Sequence, residues 1–189
     1  MDIFLDKQDY DAFMLRLQIV LGAEMSKMPF DRTNRIRLTP CPARAFSLIC
    51  YCLMPNHWHL VIEQKTELPI STLMLRFCTS YSKYFNNKYS RVGQVFQDQF
   101  SAVMIESDQQ LSAVSAYIHQ NPKVAGLVQN LQDWEYSSYA NYIGDVPDMF
   151  CDCDRVMANF KNAAEYRDFV ENRYCEILER KEIANSTLD

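Results

Sequence analysis

The sequence contains no run of about eighteen apolar residues, so it predicts no helix that crosses a membrane. Residues 1–7 carry neither the basic stretch nor the long apolar stretch of a secretion signal. The seven cysteines are odd in number and form no Cys-x-x-Cys pair, which argues against a disulfide framework and a zinc knuckle. We therefore expect a cytoplasmic protein without a membrane partner. The length of 189 residues suffices for one well-packed domain.

The cysteines that are present fall into two groups. Cys50 and Cys52 lie in an apolar run and are expected to be buried as small hydrophobic side chains. Cys151-Asp152-Cys153 could hold a metal ion with help from residues elsewhere in the chain. A single pair of this kind is a poor signal, so we favour ordinary side chains there.

Acidic residues exceed basic ones, giving a net charge of −5 and an isoelectric point near 5.2, which taken alone argues against a nucleic-acid partner. The distribution is uneven, because residues 27–91 have a local charge of +7 and residues 145–189 a local charge of −5. An acidic protein can therefore carry a basic phosphate-binding surface, although a mixed, solvated surface would show the same pattern. The candidate DNA contacts in the basic stretch are Arg35, Arg37, Arg76, Lys83, Lys88 and Arg91.

Histidine is scarce, and two of the three histidines stand two residues apart in the apolar run Met54–Glu63. Alternate residues of a strand point to the same side, so His57 and His59 would project together while Trp58 and Leu60 face the other way, towards a core. Two imidazoles so placed can share one divalent ion. The alternative is a pair of ordinary strand histidines, hydrogen-bonded and inert.

The spacing of apolar and turn-forming residues predicts helices, strands and loops in alternation. Helices are expected at residues 8–26, 69–88, 107–120 and 154–182. Strands are expected at residues 45–53, 54–63 and 100–106, with loops at residues 27–43, 91–96 and 134–139. Pro55-Asn56 is expected to connect the first strand to the histidine strand, so that the two pair as antiparallel neighbours. Ser71 is a candidate cap of the second helix, Ser107 or Asp108 of the third, and Pro122 is expected to end the third.

The helix predicted at residues 69–88 mixes aromatic and basic side chains. Such a mixture suits a nucleic-acid surface, where rings stack on bases and cations meet phosphates. It also suits an ordinary helix whose rings lie in the core and whose lysines are solvated. The rings concerned are Phe77, Tyr81, Tyr84 and Phe85.

In their order along the chain, these features resemble the REP-associated tyrosine transposases, a branch of the one-tyrosine HUH transposases, which act on single-stranded DNA. The resemblance spans most of the chain, and a series of this kind is far more specific than His-x-His alone. The matching segments are Ile3-Phe4-Leu5-Asp6, Asp9-Tyr10, Phe13, Met54-Pro55-Asn56-His57-Trp58-His59-Leu60, Tyr81, Tyr84-Phe85-Asn86, Gly93, Tyr117-Ile118-His119-Gln120-Asn121-Pro122, Ala125-Gly126-Leu127-Val128, Trp134 and Ser137-Ser138-Tyr139.

The resemblance implies an α+β fold with a small ferredoxin-like antiparallel sheet and helices packed on it. We expect a catalytic domain at residues 1–144 and an acidic helical extension of the same domain at residues 145–189. Family members usually begin with a further strand before the segment that starts at Ile3, so we expect that first strand to be absent.

The resemblance also implies roles for individual residues. In that family, the two histidines of the His-hydrophobic-His motif bind a divalent metal, usually Mg²⁺ or Mn²⁺, and a tyrosine on a later helix attacks a DNA phosphodiester. Carried over, His57 and His59 are metal ligands, Tyr117 is the nucleophile, and Asn121 is a third ligand or a polar partner. The attack leaves a 5′-phosphotyrosine and a free 3′-OH, and its reversal rejoins strands.

Other tyrosines compete for the role of nucleophile. Tyr81 and Tyr84 also lie on a predicted helix after the histidines. Tyr117 ranks first because Asn121 follows at helical spacing, which places both side chains on one face. His119 would point to another face, so we expect a structural role for it.

The leading functional hypothesis is metal-dependent cleavage and rejoining of single-stranded DNA at hairpin-forming repeats. A second hypothesis is a truncated or domesticated relative that binds hairpin DNA and no longer cuts it. A third is a phosphodiesterase acting on RNA or a nucleotide without a covalent adduct. Single-stranded or hairpin DNA is the expected partner of the first two, and the chain could act as a monomer or a homodimer.

Overall fold

The computed structural model describes residues 1–22, 36, 38–97, 99–145 and 150–173. There the chain is an α+β protein whose antiparallel sheet has two strands, β1 (Phe46–Met54) and β2 (His57–Gln64). The predicted class is thereby confirmed. The helices are α1 (Lys7–Val20), α2 (Ile70–Lys88), α3 (Asp108–Val124), the short α4 (Tyr139–Tyr142) and α5 (Asp154–Met157), and α6, which includes residues 163–173.

The hairpin β1–β2 follows from its sequence. An apolar run forms β1, Pro55 and Asn56 form a two-residue turn, and the histidine segment forms β2, as predicted. A turn this short requires antiparallel neighbours. None of the described helices is long and apolar enough to cross a membrane.

The prediction of a strand at residues 100–106 is wrong. All of these residues are described, and none belongs to a strand. Val103 and Met104 expose 82% and 79% of their surface. A segment with strand-forming side chains becomes a strand only where a neighbouring strand accepts its backbone hydrogen bonds.

Two helix ends differ from the expectation. The first helix ends at Val20, before Gly22 with its left-handed φ of 82°, and the predicted residues 23–26 lie outside the described ranges. The N-cap position of α2 is Pro69, whose side chain has no oxygen to accept a hydrogen bond, so Ser71 lies within the helix and is not its cap. The described parts of the loops predicted at residues 27–43 and 91–96 contain no regular helix and no strand. The loop predicted at residues 134–139 is irregular except for a single bridge at Ser137, and its last residue, Tyr139, is wrong because α4 begins there.

The terminal helix is not continuous. Its first turn, α5, is followed by irregular residues 158–162. A second helix, α6, begins after them and includes residues 163–173. The Asn162 side chain accepts a hydrogen bond from the amide of Glu165 at 3.0 Å, and the Glu165 carboxylate accepts one from the amide of Lys161. These bonds form a helix cap, which explains the new start. Predicted residues 174–182 lie outside the described ranges.

The chain divides into two compact units. The first consists of Met1–Leu48, Pro55–His57 and Ile62–Val103, and the second of Ile49–Met54, Trp58–Val61 and Met104–Asp189. In the first unit, α1 packs on α2 through buried rings, and the amides of Ile3 and Phe4 donate to the carbonyl of Pro55 in the hairpin turn. In the second, α3, α4, α5 and α6 surround the central residues of β1.

Candidate active site

Strand β2 carries the two motif histidines. It begins at His57, directly after the turn, so strand alternation puts His57 and His59 on one face. The ring nitrogen Nδ1 of His57 is hydrogen-bonded to Oδ1 of Asn56 at 2.7 Å. Partial burial lowers the pKa of His57, which favours the neutral imidazole that can ligate a metal. Trp58 and Leu60, expected to face a core, are half-buried.

The second unit brings the expected nucleophile against one of these histidines. The ring of Tyr117, on α3, meets the ring of His59 edge-on, with centroids 6.0 Å apart and planes inclined by 75°. Tyr117 exposes 49% of its surface although it lies in a helix whose neighbouring residues are largely buried. A phosphodiester can therefore approach a phenol that stands beside a motif histidine.

The competing tyrosines of α2 are core residues. Tyr81 is fully buried and donates to the carbonyl of Ile3, and burial raises its pKa well above the usual value. Tyr84 is also buried and donates to the carboxylate of Asp9 at 3.0 Å. Burial and this bond raise the pKa of Tyr84 to about 12. Neither hydroxyl is accessible to DNA.

Asn121 occupies the last turn of α3, the helix that carries Tyr117. Its amide nitrogen donates to the carbonyl of Tyr117 at 2.9 Å and, more weakly, to that of Ile118 at 3.4 Å. Pro122 has no N–H and cannot satisfy the carbonyl of Ile118, so the side chain supplies a donor in its place. The predicted end of the helix at Pro122 is wrong for this reason: α3 continues to Val124.

This arrangement also defines what the Asn121 side chain can offer a ligand. Its nitrogen is engaged by backbone carbonyls, which orients the amide, and its oxygen is the acceptor of the group. The hydrogen bond from Asn121 to the carbonyl that Pro122 leaves without a donor was not foreseen from the sequence. The adjacency of Asn and Pro at the end of a helical pattern is the signal that could have indicated it.

His119 is fully buried, and the prediction of a structural role agrees with its surroundings. Its Nδ1 is hydrogen-bonded to the hydroxyl of Tyr166 at 2.7 Å and its Nε2 to the hydroxyl of Ser138 at 2.8 Å. Burial lowers the pKa of His119 to about 3, so the ring is neutral at physiological pH. A neutral imidazole has one donor and one acceptor nitrogen, which permits both bonds at once.

No three His, Cys, Asp or Glu side chains cluster as a metal site within the described ranges. The stretch Cys151-Asp152-Cys153 is half-buried there and forms no such cluster. Cys50 and Cys52 are fully buried, as expected, and burial raises the pKa of the Cys52 thiol to about 12. The histidine pair on β2 stays the predicted metal site, and no described His, Cys, Asp or Glu side chain completes a cluster of three with it.

Two of the candidate DNA contacts are engaged inside the first unit. Arg76 donates to the carbonyl of Pro40 at 2.7 Å. Lys88 forms ion pairs with Asp6 at 2.6 Å and with the buried Asp9 at 2.8 Å. The rings of α2 are likewise packed in the core of that unit, which favours the second interpretation of its aromatic residues.

The remaining basic candidates are more accessible or lie elsewhere. Lys83 is exposed on α2. The guanidinium of half-buried Arg91 lies 5.5 Å from the ring centre of Phe85. Arg35 and Arg37 lie outside the described residues.

Comparison with known proteins points to a single family. A sequence model of the family described as IS200-like transposase matches residues 29–121, which include both motif histidines, Tyr117 and Asn121. A protein of Haemophilus influenzae whose name assigns it to the REP-associated tyrosine transposases is 27% identical over 136 residues, covering 64% of this chain and 76% of the relative. No solved structure matches the chain.

Proposed function

Since residues 29–121 match the model of the IS200-like transposases, we propose that the chain is a transposase of this family that cleaves and rejoins single-stranded DNA through a covalent bond to Tyr117, at hairpin-forming repeats. The observation that carries this proposal is the exposed ring of Tyr117 in edge contact with the motif histidine His59. An exposed phenol beside an imidazole of the histidine strand is a suitable arrangement for attack on a phosphodiester.

The proposed reaction conserves the energy of the phosphodiester. The Tyr117 oxygen forms a bond to phosphorus, the bond from phosphorus to the 3′ oxygen breaks, and that oxygen takes up a proton while the phenol gives one up. The products are a 5′-phosphotyrosine and a free 3′-OH. A 3′-OH that attacks the phosphotyrosine reverses these changes and joins the strands without another energy source.

A phenol with a pKa near 10 is a poor nucleophile at neutral pH, so the reaction needs a positive group that offsets the negative charge developing on the phosphate. The residues proposed to hold a divalent metal are His57 and His59 through imidazole nitrogens and Asn121 through its amide oxygen. This donor set fits a divalent ion, although two imidazoles suit Mn²⁺ better than the harder Mg²⁺. Such an ion would polarise the phosphate and offset the charge that develops on it.

Hairpin-forming single-stranded DNA with a 3′ label, which stays on the fragment that becomes linked to the protein, is incubated with the protein and Mn²⁺ or Mg²⁺ to test the proposal. A denaturing gel is expected to show protein-linked DNA, and the band should vanish in Tyr117→Phe and in His57→Ala. Tyr89→Phe is the matched control, since it removes a tyrosine hydroxyl that bonds Asp9 in the first unit.

Two other results would replace the proposal. Hairpin binding without an adduct or cleavage would support a DNA-binding protein without catalytic activity. Hydrolysis without an adduct, retained in Tyr117→Phe, would support a phosphodiesterase. Metal removal with a chelator should abolish the adduct and leave hairpin binding in place if the proposal is correct.

A further inference from the structure

A buried chain of polar groups runs through the core of the second unit. The hydroxyl of Tyr166, on α6, is hydrogen-bonded to Ser115 Oγ at 3.1 Å and to His119 Nδ1 at 2.7 Å, both on α3. His119 Nε2 is hydrogen-bonded to Ser138 Oγ at 2.8 Å. Ser138 Oγ accepts a bond from the amide of Tyr51, on β1, at 2.9 Å. The chain therefore connects α6, the nucleophile helix and the sheet.

The sheet end of this chain lies close to the motif histidine. The two-residue turn sets a register in which Cys52, the neighbour of Tyr51, stands opposite His59 on β2. Residues 136–138 also pair with β1 at this point, since the amide of Leu53 donates to the carbonyl of Tyr136 at 2.8 Å. The polar chain is thus attached to backbone that lies next to the backbone of His59.

The other end holds the side of α3 that faces away from the candidate site. Ser115 and His119 each lie two residues from Tyr117, which is about 200° around a helix. The same side is tied to α6 by an ion pair between Lys123 and Glu171 at 2.6 Å. Contacts on this side fix the rotation of the helix about its axis.

We propose that Tyr166 is a positioning residue for the reaction of Tyr117: through His119 and Ser138, its hydroxyl fixes the rotation of α3 against β1 and so holds Tyr117 beside His59. This inference rests on the proposed function. A rotation of about 10° moves a side chain at the outer radius of a helix by about 1 Å. A misplacement of that size can reduce a catalytic rate by about 100-fold.

Two variants that lose the same chemical group make the test. Tyr166→Phe removes the hydroxyl that joins Ser115 and His119. Tyr142→Phe is the matched control, because Tyr142 is buried in the same core and its hydroxyl donates to the carbonyl of Ile49, on β1, at 2.7 Å. Its ring also contacts the ring of His119, with centroids 4.8 Å apart, and phenylalanine keeps that ring. Both variants should lose stability to a similar extent, so a purely structural role would affect them alike.

The first measurement is the rate of adduct formation in the full chain at saturating hairpin DNA and Mn²⁺. Tyr166→Phe is expected to be at least about 10-fold slower than wild type, with hairpin affinity unchanged, and Tyr142→Phe to stay within about twofold. Ser138→Ala, which cuts the same chain at its sheet end, should reproduce the slow rate and replaces Tyr166→Phe if that variant does not fold. Equal rates in the Tyr166→Phe and Tyr142→Phe variants would overturn the proposal.

The second measurement does not need activity. In protein labelled at tyrosine and histidine, ring protons of Tyr117 and His59 should give an NMR cross-peak in wild type and Tyr142→Phe that weakens in Tyr166→Phe. A wild type that forms no adduct would refute the proposed function, and this cross-peak would still decide whether Tyr166 positions Tyr117. A cross-peak of full strength in Tyr166→Phe would overturn the positioning role.

Discussion

Asn121 has two tasks at the end of the nucleophile helix. Its nitrogen satisfies backbone carbonyls at a point where Pro122 leaves a donor missing, and its oxygen is the proposed metal ligand. The first task is a matter of helix stability and the second of catalysis. They can be separated because only the first depends on the proline.

We predict that Asn121→Ala lowers the free energy of unfolding by about 1 kcal/mol, since it removes the side-chain donor to the last turn of α3. In a Pro122→Ala background, the restored amide can donate to the carbonyl of Ile118. Asn121→Ala should therefore lower the free energy of unfolding by clearly less than in the wild-type background. Urea unfolding of the four proteins measures both values. Equal costs in the two backgrounds would show that the side chain does not compensate for the proline.

Asp9 is the centre of a buried polar cluster in the first unit. Its carboxylate accepts hydrogen bonds from the amide of Leu5 and from Lys88, Tyr84 and Tyr89. Burial by itself raises the pKa of this carboxyl, but these bonds outweigh it and hold the pKa below its usual value. The cluster attaches the segment before α1 to the end of α2.

Acid should therefore weaken this unit in a defined pH range. The carboxyl has a lower pKa in the folded chain than in the unfolded one, so its contribution is complete above about pH 4 and is lost as the pH falls below that value. Asp9→Asn should lower the free energy of unfolding by about 3 kcal/mol at pH 7. Below pH 4, the stability of the variant should fall less steeply with pH than that of the wild type. Unfolding experiments between pH 7 and pH 2.5 measure this. A variant with the same acid sensitivity as wild type would contradict the account.

At the scale of elements, the hairpin was the most predictable part of the fold. An apolar run, a Pro-Asn turn and a second run bounded by polar residues leave little choice of structure, and the histidines follow from strand alternation. Tyr117 could also be picked out, since helical spacing links it to Asn121. Its contact with His59 could not, because it depends on how α3 packs in the second unit.

The errors arose where tertiary contacts or side-chain bonds override local preference. Residues 100–106 have strand-forming side chains but pair with no strand in the part of the chain that the structure describes. The amide of Asn121 allows α3 to pass Pro122. Asn162 starts a new helix inside a pattern that looks continuous. Each case involves a polar group whose partner cannot be read from hydrophobic spacing.

The start of α6 can be tested directly. Asn162→Ala should lower the free energy of unfolding by about 1 kcal/mol, because the amide of Glu165 loses its acceptor. Asn162→Ser keeps an oxygen at the cap and should retain most of the stability. Thermal unfolding of both variants measures the difference. An equal loss of stability in Asn162→Ala and Asn162→Ser would mean that the Asn162 side chain does not act as a cap.

At the scale of the whole molecule, the acidic end of the chain contributes to the core. Val156, Tyr166 and Val170 are fully buried in the second unit, in contact with α3 and β1 residues of the same cluster. The division into a catalytic domain at residues 1–144 and an extension at residues 145–189 stays a prediction. The packing indicates that the extension supports α3.

A chain ended at residue 144 should therefore lose more than its acidic charge. Exposing three large buried side chains costs about 5 kcal/mol, which equals the whole stability of many domains. We expect the shortened chain to show no cooperative unfolding transition by circular dichroism. A shortened chain that melts as sharply as the full one, at a similar temperature, would refute the supporting role.

The most direct test of the central claim identifies the residue that becomes linked to DNA. Trypsin cleaves after Lys and Arg, and the fragment of residues 92–123 contains Tyr117 as its single tyrosine. After reaction with hairpin DNA and nuclease trimming, mass spectrometry should find this fragment with a nucleotide attached through phosphate to Tyr117. A nucleotide on a fragment that carries another tyrosine, or cleaved DNA with no modified fragment, would contradict the account.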